Sequence, residues 1–232
     1  MATLGTFRAL LNAERLSIFE FLIPFLTITL WYSPRIKLRN IFLVLISLPV
    51  IFAALEFTRS WTNYYSNIFQ GSFFDFVTFR LFSYYATSVN NGFTLIEQIG
   101  PGPRHPYFSL NFIYEFPIFG KSIPIGHEIY NPRDGLISFF KYYSNPEFNN
   151  PGGLTSIVLD YGWLFGSIFL FIAGVIVGKI WNNGISDPTF AFLFCALFLG
   201  ILELPRYFFF GSSRFLPSLI SGALIIAKYR IR

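Results

Sequence analysis

The side chains with the clearest chemical potential in this sequence are arginines in aromatic, turn-rich surroundings. Arginine keeps its charge and presents a planar fork that matches two phosphate oxygens at once. Several arginines that converge on one point would therefore hold a diphosphate group. The alternative for each is that it lies at the end of a membrane span and extends its charge to the lipid headgroups. The arginines considered are Arg8, Arg59, Arg80, Arg104, Arg133, Arg206 and Arg214.

Arg80 differs from the other arginines in its immediate surroundings. Its neighbours are Phe79, Leu81 and Phe82, in a segment whose dense apolar pattern predicts burial. Removing a guanidinium from water is costly unless an opposite charge replaces the lost hydration. The sequence therefore predicts an anionic partner for Arg80.

Familiar enzyme signatures are absent from the sequence. It contains no P-loop, no GxGxxG, no GxSxG and no HExxH, and neither His105 nor His127 has metal-ligand spacing. The single cysteine, Cys195, lies in an apolar stretch and cannot form an intrachain disulfide. We therefore expect no metal and no cofactor, and any chemistry should be metal-independent.

About five strongly apolar stretches must position these residues, and each approaches the ~20 residues that a helix needs to cross ~30 Å of hydrocarbon. The chain is 53% hydrophobic and only 12% charged, which leaves too little polar surface to cover such a core in water. The sequence predicts an all-α integral membrane protein with about five transmembrane helices. The stretches are residues 16–32, 40–57, 155–178, 189–204 and 215–227.

Basic residues between the stretches indicate which loops face the cytoplasm. Arg35, Lys37 and Arg39 follow the first stretch, Lys179 follows the third, and more basic residues follow the fifth. The positive-inside rule places all of these on the inner side. Residues 58–154 then form one large extracytoplasmic loop. Acidic and basic residues balance within that loop, so nucleic acid is not an expected partner despite the net charge of +5.

The chain divides into three predicted regions. Residues 1–57 hold an outer N-terminal helix and the first transmembrane hairpin, 58–154 form the large loop, and 155–232 form three C-terminal transmembrane helices. Within the loop, residues 73–100 predict one or two helices at the membrane interface. Residues 101–153 are rich in proline and glycine and predict an irregular but packed segment.

Asp160 lies near the outer end of the third apolar stretch. A carboxylate at that depth is costly in lipid, so we expect it to face a cavity or a partner arginine. The run NNPGG at 149–153 predicts a tight turn into the same helix.

Segments of the chain resemble, in their order, the C-terminal half of bacterial oligosaccharide repeat-unit polymerases and O-antigen ligases. GTFRALL, with Gly5 and Arg8, resembles the element that precedes a pair of spans in that family. RLFSYYATSVNNGF, which begins at Arg80, resembles the start of the family's large outer loop. NPEFNNPGGLTSIVLDYGWLFG, with Asp160 and Gly162, resembles the exit from that loop into the next span. Because family members are usually longer, this chain is expected to be the C-terminal part of a longer protein.

The resemblance implies a glycosyltransferase in the bacterial plasma membrane. Its substrate would be an oligosaccharide carried on undecaprenyl diphosphate, and an acceptor sugar hydroxyl would displace the diphosphate with inversion and without a metal. Besides membrane lipids, a flippase and a chain-length regulator are implied as partners. Arg80 would also be catalytic, by stabilising the charge of the leaving diphosphate. The residues implied to bind substrate are Arg8, Arg59, Arg80, Arg104, Arg133 and Asp160.

Such a transfer also needs a group that takes the proton of the attacking hydroxyl. His127 is the preferred candidate because GHEIYNPRDG places it among charged residues, whereas His105 is held between Arg104 and Pro106. A desolvated carboxylate is the remaining possibility.

Other functions stay open at this point. An O-antigen-type ligase would use the same donor, and a non-catalytic membrane fragment would use none. A lipid-glycan transporter would need polar residues inside its spans. The sequence offers few of these, among them Glu20, Ser47 and Glu203.

Overall fold

The computed structural model describes residues 15–32, 38–118, 120–123, 136–144, 147 and 150–230. Within these residues the regular structure is helical and no strand is present. The predicted all-α class is therefore confirmed. The α-helices are α1 (Arg15–Tyr32), α2 (Leu38–Glu56), α3 (Phe73–Ile99), α4 (Asn111–Tyr114), α5 (Leu136–Tyr143), α6 (Gly153–Ser186), α7 (Pro188–Glu203) and α8 (Phe215–Arg230).

The chain forms two compact units, Met1–Phe82 and Ser83–Arg232. Helix α3 begins in the first unit and continues into the second. It is a single helix across the stretch for which the sequence predicts one or two helices.

In the first unit, α2 continues into a short π-helical segment, Phe57–Trp61. This wider turn carries Trp61 to the start of α3, where its ring lies 5.2 Å from that of Phe76. Tyr65 and Phe69 approach the same ring, at 4.9 and 5.4 Å. Each aromatic pair contributes about 0.5–1.5 kcal/mol beyond the area it buries. Phe76 is fully buried in this aromatic cluster, which therefore secures the first turns of α3.

Helix α3 begins at a reciprocal pair of hydrogen bonds between Ser72 and Asp75. The Asp75 amide donates to Ser72 Oγ at 3.2 Å, and the Ser72 amide donates to Asp75 Oδ2 at 3.0 Å. These bonds satisfy amides that the first turn of a helix leaves without partners. The start of α3 is thus specified locally by the S-x-x-D pattern.

In the second unit, α6 is the helix whose length and composition suit a membrane crossing. Among the described residues it is the one helix that is both long and apolar enough, and only 6% of its most apolar 18-residue window is buried within the protein. The helices Pro188–Glu203 and 215–224 are apolar but shorter. Helix α7 packs against both α6 and α8. Because most apolar side chains of α6 are exposed, this helix is not a buried core helix of the chain.

Helix α6 is interrupted at Gly162, whose φ of 76° and ψ of 177° are not helical. The loop after α3 docks at this interruption. The Gly102 amide donates to the Val158 carbonyl at 3.0 Å, and the Arg104 amide donates to the Asp160 carbonyl at 2.8 Å. A carbonyl next to a break in a helix needs a replacement donor. The loop supplies these donors and is thereby held against α6.

A small apolar core lies beside this docked loop. Its fully or nearly fully buried members come from three helices, α3, α5 and α6, and they are Leu95, Phe139, Phe140 and Leu159. The proline- and glycine-rich segment is thus packed, as the sequence predicts, over its described part.

Candidate functional site

Three of the predicted site residues, Arg8, His127 and Arg133, lie outside the described residues. The other four are placed by the structure in four different surroundings. Arg59 is exposed on the π-helical segment of the first unit.

Arg80 is buried in the first unit, as predicted, although its neighbours Phe79 and Phe82 are exposed. Its Nε lies 3.5 Å from Oε2 of Glu56, and the two side chains are 7% and 0% exposed. Its guanidinium also lies 5.3 Å from the ring centre of Tyr65 and 5.8 Å from that of Phe76. The anionic partner that Arg80 needs is therefore supplied by the protein itself, from the last residue of α2.

Arg104 closes the C-terminal end of α3. Its Nη1 donates to the Gly100 carbonyl at 2.7 Å, and its Nη2 donates to the Ile99 carbonyl. The last carbonyls of a helix have no partners within it and carry the negative end of the helix dipole. Partial burial lowers the pKa of Arg104 from its ordinary value. Arg104 therefore acts as a helix cap in this structure.

Asp160 is buried, and its carboxylate accepts hydrogen bonds from the loop that follows α3. Oδ2 accepts from the Ser109 amide and from Ser109 Oγ, each at 2.7 Å, and Oδ1 accepts from the Phe108 amide at 3.3 Å. The sequence predicts a cavity or a partner arginine for Asp160, and within the described residues it is backbone and hydroxyl donors of the loop that bind its carboxylate. Tyr161 extends the cluster, with its hydroxyl 2.9 Å from Ser109 Oγ. These contacts fasten the loop to the outer part of α6.

A second arginine–carboxylate pair, which the predicted site did not include, lies in the second unit. Nη1 of Arg206 donates to Oε2 of Glu203 at 3.0 Å, just beyond the C-terminal end of α7. The Arg206 guanidinium also lies 5.2 Å from the ring centre of Tyr84 and 5.5 Å from that of Tyr207. The buried Arg206 Nε makes no hydrogen bond within the described part of the chain.

Backbone contacts hold this pair beside the start of α6. The Gly152 amide donates to the Arg206 carbonyl at 3.1 Å, and the Gly153 amide donates to the Leu204 carbonyl at 2.8 Å. A Cβ on Gly153 would lie 2.6 Å from the Leu204 oxygen, and Gly152 has a φ of +72°. Glycine is required at both positions for this close approach.

The two charged side chains of the pair differ from Arg80 and Glu56 in their access to water. Arg206 is 24% exposed and Glu203 is 10% exposed. Tyr85 lies close enough to feel both charges. Burial raises the pKa of the Tyr85 phenol above its ordinary value, the Glu203 carboxylate raises it further, and Arg206 opposes the rise. We call Tyr84, Tyr85, Glu203, Arg206 and Tyr207 the Glu203 cluster.

The sequence names Arg206 and Glu203 separately but does not bring the Glu203 cluster together, because its members come from α3, from the last residue of α7 and from the turn that follows. One local signal was available. Glu203 and Arg206 are three residues apart at the end of a helix, which is a spacing that brings opposite charges together.

The described residues contain no group of three or more histidine, cysteine or acidic side chains that could hold a metal ion. No protein-family profile matches the chain, and neither the characterised proteins nor the solved structures give a significant match to it. A function for this chain must therefore be inferred from its own sequence and geometry.

Proposed function

We propose that this chain polymerises lipid-linked oligosaccharide repeat units at the outer face of a bacterial plasma membrane. It would do so by inverting, metal-independent glycosyl transfer from an undecaprenyl-diphosphate donor. In this proposal the chain crosses the membrane about five times, residues 58–154 lie outside, and the C-terminus lies inside.

One observation carries the proposal. The Glu203–Arg206 pair is only partly exposed and lies beside the start of α6. Helix α6 is apolar, and the rest of the chain covers little of its surface. Charged side chains next to membrane-depth helices are costly, so they are retained mainly where they bind or transform a substrate. In the proposed topology this end of α6 is the outer one, where lipid-linked glycans are assembled.

The proposed chemistry fits the kinds of side chain available. A diphosphate leaving group already carries negative charge, so arginines can stabilise it without a metal. The exposed Arg59 is free of the packing that encloses Arg80, and the structure supports Arg59 best among the described residues predicted to bind substrate. Arg8 and Arg133 remain predicted diphosphate ligands. Asp160 and Arg104 would act by holding the loop, because their polar atoms are engaged by the protein.

The proposal is tested by deleting the chain's gene in its source cell and measuring two products. Surface polysaccharide should lose its long chains, and single repeat units should accumulate on undecaprenyl diphosphate. Restoring the gene should restore the long chains. Unchanged polysaccharide, without any accumulated precursor, would contradict the proposal and favour a non-catalytic fragment.

Two further outcomes would replace the polymerase by a related function. Long chains that are still made but stay attached to the lipid would indicate a ligase. Repeat units that accumulate only on the inner face of the membrane would indicate a lipid-glycan transporter.

A further inference from the structure

We infer that Glu203 is the group that takes the proton from the acceptor sugar hydroxyl, and that Arg206 is the residue that positions it. This inference rests on the proposed function and deepens it. It assigns the acceptor side of the reaction to the Glu203 cluster of the second unit.

Glu203 is buried to a degree that suits a general base. A general base must be reachable by substrate and yet sufficiently dehydrated to bind a hydroxyl in place of water. The Glu203 side chain is only 10% exposed and therefore largely dehydrated, while its partner Arg206 is 24% exposed and connects the pair to solvent. Glu56 is fully buried against Arg80, so no substrate can reach it. The oxygens of Asp160 already accept hydrogen bonds from Ser109 and Phe108.

The net charge of the Glu203–Arg206 pair favours a neutral ligand. The Arg206 guanidinium lies 3.0 Å from the Glu203 carboxylate, so the pair has little net charge. A diphosphate placed here would meet the Glu203 carboxylate as a like charge, which is unfavourable. A neutral sugar suits the pair better, because the carboxylate accepts a hydroxyl proton and the guanidinium donates to a neighbouring hydroxyl oxygen. The cluster therefore selects the acceptor sugar rather than the lipid diphosphate.

Tyrosine side chains surround the Glu203–Arg206 pair. Tyr84 and Tyr207 lie against the guanidinium and hold its plane in place. Tyr85 is 39% exposed, and its phenol experiences the charges of Glu203 and Arg206. An exposed ring next to a polar pair gives a sugar an apolar face to pack on, beside groups that bind its hydroxyls.

Backbone hydrogen bonds hold the turn that carries the pair in place. The Glu203 carbonyl accepts from the amides of Arg206 and Tyr207, at 2.8 and 2.9 Å. The Arg206 carbonyl in turn accepts from Gly152. A catalytic group is effective when its geometry is held before substrate arrives, because no ordering then has to occur during the reaction.

The step that follows is balanced. The acceptor oxygen forms a bond to the anomeric carbon of the donor glycan, and the bond between that carbon and the diphosphate oxygen breaks. The bonding electrons leave with undecaprenyl diphosphate. The proton of the acceptor hydroxyl moves to Oε1 or Oε2 of Glu203, while Arg206 keeps its own proton and its charge.

The experiment uses repeat units that the deletion cells accumulate on undecaprenyl diphosphate. These are extracted and supplied to membranes that contain the full chain, and the rate of polymer formation is measured. Glu203→Gln keeps the shape of the side chain but removes its basicity. General-base contributions are typically 10²–10⁴-fold, so the rate should fall by at least about 100-fold. The matched control is Glu97→Gln, an exposed position on α3, which should keep the wild-type rate.

Further measurements separate a proton acceptor from a structural residue. The amount of protein in the membrane and the binding of undecaprenyl diphosphate to the purified chain should be unchanged in Glu203→Gln. The fall of the wild-type rate towards acid pH should disappear in Glu203→Gln. Arg206→Lys should lower kcat more than it raises KM, since it misplaces the base without removing it. Rescue by Glu203→Asp to within about tenfold would agree with a displaced base.

Several outcomes would overturn the inference. A rate of polymer formation in Glu203→Gln within threefold of wild type would exclude Glu203 as the proton acceptor. The proposed function would not be affected by that result. Loss of the acidic limb in His127→Ala, with the limb retained in Glu203→Gln, would assign the base to His127. If neither Glu203→Gln nor Glu203→Asp accumulates in the membrane, Glu203 is a folding residue. If the wild-type chain itself forms no polymer from these donors, the proposed function fails instead.

Discussion

At the scale of single residues, two arginine–carboxylate pairs among the described residues differ in how far water reaches them. The Arg80–Glu56 pair is enclosed by Tyr65 and Phe76, whereas Arg206 and Glu203 are partly open. A fully buried pair is strongly destabilising to break, because the remaining charge has lost its water and its partner. The enclosed pair therefore suits a structural role and the open pair suits a chemical one.

The enclosed pair gives a prediction about stability. Arg80→Ala should lower the stability of the first unit by about 3–5 kcal/mol, because the fully buried Glu56 carboxylate then loses the opposite charge of Arg80. Thermal unfolding of the purified chain in detergent, followed by circular dichroism, measures this change. Arg59→Ala is the matched control, since Arg59 is exposed nearby in the same unit, and it should leave the unfolding temperature almost unchanged.

A double variant separates folding from substrate binding at the same position. Replacing both members, Glu56→Leu with Arg80→Met, removes the charges together and should recover most of the lost stability. Polymer formation restored along with stability would show that Arg80 does not bind the donor. A stable double variant that makes no polymer would instead restore Arg80 to the substrate-binding set.

The cap of α3 gives a prediction about pH. Hydrogen bonds from the Ser72 side chain and amide hold the pKa of Asp75 below its ordinary value. A carboxylate with a lowered pKa contributes stability above its unfolded-state pKa, and that contribution is lost as the pH falls through the folded-state pKa. Amides in the first turn of α3 should therefore exchange with deuterium faster, after correction for intrinsic rates, below about pH 4.

Asp75→Asn is the matched variant for that measurement. An uncharged side chain at this position should remove the acid-dependent change in protection of the first turn of α3. If the wild-type protection does not change with pH between about 3 and 6, the cap does not depend on the charge of Asp75.

At the scale of secondary-structure elements, the interruption of α6 and the loop after α3 depend on each other. Gly162 breaks the helix, and the loop donates to the carbonyls of Val158 and Asp160. The loop also donates to the Asp160 carboxylate through Ser109. The kink and the loop are thus one structural device, and disturbing either should release the other.

Gly102→Ala tests this dependence. A Cβ at Gly102 would lie 2.7 Å from the Asp160 carbonyl oxygen and 2.8 Å from the Gly162 nitrogen, so the loop must move away from α6. Overpacking of this kind costs about 1–3 kcal/mol. Limited proteolysis should cut the loop faster in this variant than in wild type.

Gly174→Ala is the control on the same helix, because a Cβ there meets no atom within 4 Å. It should be neutral or slightly stabilising, since alanine favours helix more than glycine does. Equal proteolysis of wild type and Gly102→Ala would show that the loop is not held by its contacts at the interruption.

At the scale of the whole molecule, the proposed membrane topology makes the two ends of α7 face opposite sides. Ser213 lies in the turn after α7, and Asn183 lies near the end of α6 just before α7. Both are exposed. The proposed arrangement places Ser213 outside and Asn183 inside.

Cysteine labelling tests this arrangement. Cys195 is buried and is first replaced by alanine. A membrane-impermeant thiol reagent added to intact cells should then label Ser213→Cys and not Asn183→Cys. Both variants should be labelled once the membrane is opened with detergent. Labelling of Asn183→Cys in intact cells, with Ser213→Cys protected, would invert the topology and place the Glu203 cluster on the cytoplasmic side.

Several features of this protein follow from sequence alone because they are local properties of the chain. Apolar composition over a long stretch predicts the helix that becomes α6, since a helix satisfies most of its own backbone groups. The break at Gly162, where the loop supplies the donors, does not follow from that composition. The S-x-x-D pattern at Ser72 and Asp75 suffices to start α3. The predicted burial of Arg80 and its need for an anion are confirmed, although the neighbours Phe79 and Phe82 are exposed.

Only the tertiary structure decided which partners the polar groups have. Asp160 binds Ser109, which is 51 residues away in the chain. Arg80 pairs with Glu56 across the aromatic cluster of the first unit, and Arg206 lies against Tyr84 from a distant helix. Residue type fixes what a buried charge requires, because a guanidinium or carboxylate removed from water needs an opposite charge or hydrogen-bond partners. Which neighbour meets that requirement depends on packing between segments, and no local pattern in the sequence records that packing.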